Sequence, residues 1–328
     1  LNMRYDFGET DRRSSINLYG GRYITQYNQD RPIHPLVNTF TTLLQERNFM
    51  KLYERDYAGI SFKKKLSDQF QFELKGELNE RRELQNNSDT KWVNRNGRDY
   101  TANAPVAVEL PITSFEDHQA VIGELAVGYE PWVKYRLYNG ERYRIDEYTP
   151  KFKFLYRKGF DGIASSDVDF DQLEIAYRQT FKIGIRALGD VAISAGAFIN
   201  NDQMFFMDYK HFMGNRTPFV TTDPVASFRM LEYYTFSTDN EYLTANFNYQ
   251  MRKFLVTRIP VTRIMGIRES FFVNHLATDN SMGYTELGYG INYIFRVFRV
   301  EAVTNWIDGE YNDWAIRIGI AANLDNLF

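Results

Sequence analysis

The chain has 328 residues, of which 16% are aromatic and 25% charged, with 39 Lys and Arg against 42 Asp and Glu and no cysteine. The near-balance of charge leaves no electrostatic footprint for nucleic acid, and the missing cysteine excludes disulfides, thiolate zinc sites and thiol nucleophiles. No run of roughly 18 apolar residues occurs, so no helix is expected to cross a membrane. The opening Leu1-Asn-Met-Arg-Tyr-Asp reads as strand and not as a leader. That start predicts one domain, residues 1–328, forming the carboxy-terminal part of a longer protein.

Aromatic residues are abundant (23 Tyr and 26 Phe) although the mean hydropathy is −0.47. A greasy face and a wet face on the same strands reconcile the two. In chain order, period-two alternation predicts strands near 1–8, 13–27, 57–66, 69–84, 119–131, 150–158, 170–182, 184–200, 241–250, 265–276, 283–294, 296–307 and 313–324. Within 70–81, Phe70, Phe72, Leu74, Gly76 and Leu78 face one way, and Gln71, Glu73, Lys75, Glu77, Asn79 and Arg81 the other. In 243–249 the apolar set is Leu243, Ala245, Phe247 and Tyr249. The last strand sets Trp314, Ile316, Ile318 and Ile320 on one side, a register that returns at Phe328. These strands exceed the 5–6 residues usual in soluble sheets and suit a tilted membrane crossing.

The connections alternate in length. Short turns fall near 8–13, 66–69, 186–190 and 294–296, and long polar stretches at 28–56, 85–118, 159–169 and 201–240. Tight periplasmic turns and large external loops are the rhythm of outer-membrane barrels. Two stretches, 131–149 and 251–264, break it by being long on the short-turn side. One helix is predicted at 37–54, inside the first long loop. A soluble sandwich fits less well, because its greasy faces must all meet in one core, and no 40–50-residue repeat supports a propeller.

Little in the sequence points to catalysis. His34, His118, His211 and His275 are scattered and lack metal-ligand spacing, and no catalytic motif occurs. Asp208 and His211 could imitate a rim acid–base pair, but a histidine hydrogen-bonded within an ordered loop explains them more simply. No cofactor or metal is expected. Glu286, Arg299, Glu301 and Arg317 fall on wet faces of three consecutive strands, where opposite charges can pair across the sheet. The aromatic segment 204–219 is too apolar for a free loop, and is expected to fold into the lumen as a plug or gate.

The runs Asn48–Glu54, Tyr148–Phe152 with Tyr156–Gly159, Ser166–Asp171, Asp208–Phe212 with Gly214-Asn215, and Leu231–Thr238 resemble one family. It comprises large outer-membrane proteins of Bacteroidota that join a carboxypeptidase-regulatory-like domain to a carboxy-terminal barrel of unknown function. That barrel is similar to the sixteen-stranded barrels of the BamA/TamA assembly-factor superfamily. The resemblance implies that the chain carries about thirteen strands of a sixteen-stranded, all-β, transmembrane antiparallel barrel, with the first three strands outside it. It also implies that 201–240 is the sixth external loop, which in assembly factors presents a Val-Arg-Gly-Phe-type motif to the barrel wall. Here that motif is absent, and Phe212, Gly214, Asn215 and Arg216 are the approximate counterpart.

The resulting expectation is a non-enzymatic protein of the Gram-negative outer membrane, acting in envelope biogenesis or as an accessory subunit of an envelope complex. Its expected partners are the lipid bilayer and other outer-membrane or periplasmic proteins of a larger complex. The other open reading is a channel, or a solute- or ligand-binding outer-membrane protein. Trp314, Ile316, Ile318, Ile320 and Phe328 are expected to form a carboxy-terminal insertion signal.

Overall fold

The computed structural model describes residues 1–8, 12–94, 99–145, 148–217, 219–220, 225–281 and 283–320. Its first half contains β1 (Asn2–Phe7), β2 (Ser14–Gln26), α1 (Pro35–Gln45), β3 (Leu52–Lys65), β4 (Phe70–Glu83), β5 (His118–Tyr129), β6 (Lys134–Tyr138), β7 (Glu141–Ile145) and β8 (Lys151–Gly159). The second half adds β9 (Asp169–Ile183), β10 (Ala187–Gln203), β11 (Phe219–Val220), β12 (Tyr242–Met251), α2 (Pro260–Ile264), β13 (Arg268–Thr278), β14 (Tyr284–Ile294), β15 (Phe298–Ile307) and β16 (Glu310–Ile320). All the strands except β6, β7 and β11 form one antiparallel sheet of thirteen strands, in sequence order. β6 and β7 make a separate hairpin within the predicted 131–149 connection, and β11 lies parallel along the free edge of β16.

The alternation read from the sequence sorts the two faces. Leu18, Ile60, Leu74, Ile175, Ile193, Leu243, Val273, Leu287 and Ile316 are 39–63% exposed, whereas Asn79, Arg81, Glu286, Arg299 and Glu301 are at most 3% exposed. An apolar outer face and a polar inner face of this kind are the distribution of sheets that meet lipid on the outside. Towards the short-turn end the belt becomes aromatic. Phe70, Tyr129, Phe152 and Tyr177 are register partners across β4, β5, β8 and β9, with successive ring centroids 4.4, 6.2 and 5.1 Å apart. Phe254, Phe271 and Tyr289 continue the band at 5.2 and 5.1 Å. Interfacial girdles of this kind mark the water–lipid boundary of membrane barrels.

The sheet is strongly curled. Phe212 O accepts from Asn28 Nδ2, just beyond β2, at 3.1 Å, and three residues later Asn215 O accepts from Arg317 Nη2 of β16, also at 3.1 Å. Eleven strand spacings separate β2 from β16, on the order of 50 Å in a flat sheet, while three residues span at most about 11 Å. The polar face must therefore be concave, with the two ends drawn together. Among the described residues β1 and β16 are not hydrogen-bonded to each other, so the sheet is not closed by its own edges.

Several expectations need correction. The helix is only α1, capped at the start by His34 Nδ1, which accepts from Leu36 N, and stopped at left-handed Glu46 (φ 53°). The predicted 37–54 helix fails because pairing of Tyr53 with Glu83 draws the chain into β3 at Leu52, five residues before the predicted strand start. The turn placed at 186–190 is instead 184–186, since β10 begins at Ala187. β16 is described to Ile320, so Phe328 lies outside the described residues.

The long 251–264 stretch is ordered by one carboxylate. Glu269, at the base of β13, is fully buried and accepts from the backbone N–H groups of Phe254, Leu255, Val256 and Thr257, and from the hydroxyls of Thr257 and Tyr289.

Candidate functional site

The side chains of greatest structural consequence lie where the connection from β10 to β12 meets the concave face. This connection enters with a 3-10 turn at Phe206–Asp208. Phe206, Met207, Tyr233 and Tyr234 join Tyr27, Ile33, Met50, Tyr53 and Ala107 in one buried cluster. Phe212, Phe228 and Leu231 pack with Tyr242, Leu276 and Tyr284 of the sheet in a second. The aromatic content noted in the sequence is thus spent on the inside of the curl. Gly214 permits the closest approach within the connection, since a Cβ there would meet Leu231 O at 2.6 Å and Glu232 O at 2.8 Å.

Two buried ion pairs pin this segment to opposite parts of the wall. Asp208, fully buried, accepts both guanidinium arms of Arg81 of β4 at 2.7 and 2.8 Å. Burial alone would raise the Asp208 carboxyl, but the Arg81 charge and hydrogen bonds hold it below the usual carboxylate range. Arg229, also fully buried, donates from Nε to Glu301 of β15 at 3.0 Å and lies over the ring of Phe272 of β13, 4.8 Å from its centroid. Phe272 can lie flat there because its cross-strand neighbour is Gly288, where a Cβ would overlap the ring. Glu286 of β14 accepts from the backbone N–H of Arg229, Met230 and Leu231 at 2.7, 2.7 and 3.1 Å, and from Asn274 Nδ2 at 3.0 Å.

Of the residues singled out in the sequence, Glu286, Glu301 and Arg317 all meet the connection. Arg317 donates to Asn215 Oδ1 at 2.8 Å, and Arg299 Nε lies 3.7 Å from Glu301. Arg216 points elsewhere, to Glu232 at 3.3 Å in a half-exposed ion pair. Asp208 and His211 do not act on each other: the first is held by Arg81, and the second places Nδ1 2.7 Å from Ser237 Oγ. Burial pushes His211 down to about 3, so the ring is neutral. His118 stacks on Phe205 at 3.4 Å, and His275 reaches Thr285 Oγ1 at 2.9 Å. Trp314, Ile316 and Ile318 lie on the exposed face of β16.

The sequence reading put Arg81 on the polar face without its partner, and missed Arg229 and Glu269. The signal for Arg229 was present: a lone cation between Phe228 and Met230-Leu231, in a connection otherwise expected to be buried, needs a buried carboxylate. Nothing local marked Glu269, whose partners come from a loop that reads as ordinary.

On the polar face, one cavity of ≈490 Å³ is lined mainly by polar residues of β2 to β5, among them Tyr19, Arg55, Tyr57, Lys75, Glu77 and Glu124. Its walls are braced by Arg55–Glu77 at 2.7 Å and Lys75–Glu124 at 2.9 Å.

With this geometry in hand, comparison with known proteins places the chain. Residues 1–291 match the C-terminal domain of a family of unknown function, DUF5686. The chain belongs to that family. No curated protein matches it. The chain is similar in fold to the crystal structure of BamA from Haemophilus ducreyi lacking POTRA domains 1–3, with a TM-score of 0.51 and 9% identity over 97% of this chain. This DUF5686 domain spans 61% of that solved chain. A monoaromatic hydrocarbon channel, CymD, aligns over 97% of the chain and 79% of its own, with a TM-score of 0.27 and 7% identity.

Proposed function

We propose that the chain is the membrane-embedded barrel of a Gram-negative outer-membrane protein, of the Bacteroidota type that carries a carboxypeptidase-regulatory-like domain. In this reading it is non-enzymatic and works in outer-membrane biogenesis, as an assembly- or translocation-type factor or as an accessory subunit of an envelope complex. The observation that carries the reading is the docked connection. A solute channel needs an open path, whereas here buried Asp208–Arg81 and Arg229–Glu301 pairs fix a folded segment across the concave face. The short-turn end then faces the periplasm and the long loops face outward.

Two measurements test it. Reconstituted in planar bilayers, the full-length protein is expected to be nearly closed, and its double variant Asp208→Ala/Arg229→Ala to conduct. In cells, depletion is expected to lower the amounts of other outer-membrane proteins. A wild-type chain that conducts steadily, in cells whose outer-membrane proteins assemble normally without it, would favour the channel or solute-binding reading instead. The polar ≈490 Å³ cavity supports that second reading.

A further inference from the structure

The connection between β12 and β13 is a chemical outlier. Residues 251–268 carry Arg252, Lys253, Arg258, Arg263 and Arg268 and no Asp or Glu. The neighbouring turns add Arg186 and Arg296. Ile185, Arg186, Arg252, Lys253, Ile267 and Arg268 line a groove of ≈590 Å³ with no carboxylate in its lining. Among the described residues Arg186, Arg252, Lys253 and Arg258 form no ion pair with a carboxylate. Glu269, the nearest acid in sequence, is occupied by the backbone of 254–257. Arg268 donates to Gln250 Oε1 at 3.1 Å and lies over the Tyr293 ring.

The same surface is greasy. Ile185, Ile264 and Phe295 are 97%, 84% and 81% exposed, and Leu255, Ile259, Val261 and Met265 are exposed beside them. Cations mixed with aliphatic tips are the make-up of a segment that lies in a bilayer interface. The patch is continuous with the membrane-facing girdle, since Phe254 of this connection packs on Phe271 at 5.2 Å. The anchored backbone at 254–257 means that little ordering remains to be done on binding.

We propose that this face binds the phosphate headgroups of anionic phospholipids in the adjoining leaflet, with the aliphatic tips seated among the upper acyl carbons. The proposal rests on the membrane orientation proposed above. An acidic protein would satisfy the cations, but it would give no reason for apolar tips that adjoin the lipid belt.

The test uses the full-length protein in nanodiscs of phosphatidylcholine containing or lacking phosphatidylglycerol, counting retained lipid by native mass spectrometry after transfer to neutral detergent. Wild type is expected to retain phosphatidylglycerol selectively. Arg252→Gln/Lys253→Gln/Arg258→Gln is expected to weaken that retention at least tenfold at low salt, each cation near an anionic surface being worth about fivefold. Ile259→Ser/Ile264→Ser is expected to weaken retention of both lipids. Unchanged phosphatidylglycerol retention in the triple variant would overturn the proposal. So would displacement by equimolar inorganic phosphate, which would mark a free-phosphate site. Equal binding of polyglutamate in lipid-free micelles, with no effect of the Ile changes, would mark a protein-docking surface and overturn it too. Heat-modifiable gel migration is followed in parallel. A chain that never gives the folded, membrane-protected band in either lipid overturns the membrane reading itself, and this result is distinct from loss of lipid selectivity alone.

Discussion

Arg81 and Asp208 are worth most when both are present. Each is almost wholly buried, so removing Arg81 leaves the Asp208 carboxylate in a poorly hydrated setting with, among the described residues, only Arg157, 4.0 Å away, as an ion-pair partner. Arg81→Met is expected to cost about 3–5 kcal/mol in urea unfolding. Arg81→Met/Asp208→Leu is expected to regain much of that loss, and a double variant no better than the single would contradict the pairing. His211 provides the pH dependence. Its folded value, about 3, lies below its unfolded value, so the neutral ring contributes stability that is present above about pH 6.5 and is lost as pH falls towards 3. Asp239 works in the opposite sense: burial and neighbouring Glu109 raise it to about 6, so its contribution is lost as pH rises through that value. Comparing wild type with His211→Gln cancels Asp239. Between pH 7 and pH 5 the wild type is expected to lose about 2 kcal/mol more than the variant. Parallel pH profiles would show that the ring is not neutral and buried.

At the scale of elements, the strands follow from alternation alone. β4 is the clearest: its even residues from Phe70 to Leu78 look outward, and Asn79 and Arg81 are buried on the other side. Phe72→Arg is therefore expected to cost about 2–4 kcal/mol and impair insertion, whereas Glu73→Arg on the polar face is tolerated. Equal tolerance in a heat-modifiability assay would defeat the lipid-facing assignment. What the sequence could not convey were the long connections, because their order depends on partners far along the chain. The helix overran into β3 because propensity carries no knowledge of the strand to which Tyr53 must pair. The β12–β13 connection read as a mere breach of the short–long rhythm, since its organiser, Glu269, sits on the following strand. Glu269→Gln keeps the shape but weakens the charge-assisted bonds. It is expected to destabilise the connection by about 3 kcal/mol, and trypsin should then cut first at Lys253 or Arg258. Cleavage at wild-type rates would show that the carboxylate is not what holds the loop.

For the molecule as a whole, the all-β class and the thirteen antiparallel sheet strands were legible, because an apolar outside and polar inside impose period two on every strand. The candidate site was legible only by type. Its acids, Glu286 and Glu301, stand out in the sequence as wall charges, but their partner Arg229 lies outside any regular element, and no periodicity marks it. Among the described residues β1 and β16 do not pair, and the span from Asn28 through Phe212 and Asn215 to Arg317 ties the two ends of the sheet together. The curvature of the sheet then depends on residues 212–215 of the inserted segment together with the Asp208–Arg81 and Arg229–Glu301 pairs. Arg317→Ala should broaden the distance distribution between spin labels at Tyr5 and Trp314, while a label pair within β9 and β10 keeps its width. A change that loosens the inserted segment is thereby also a change in the curvature of the sheet that holds it.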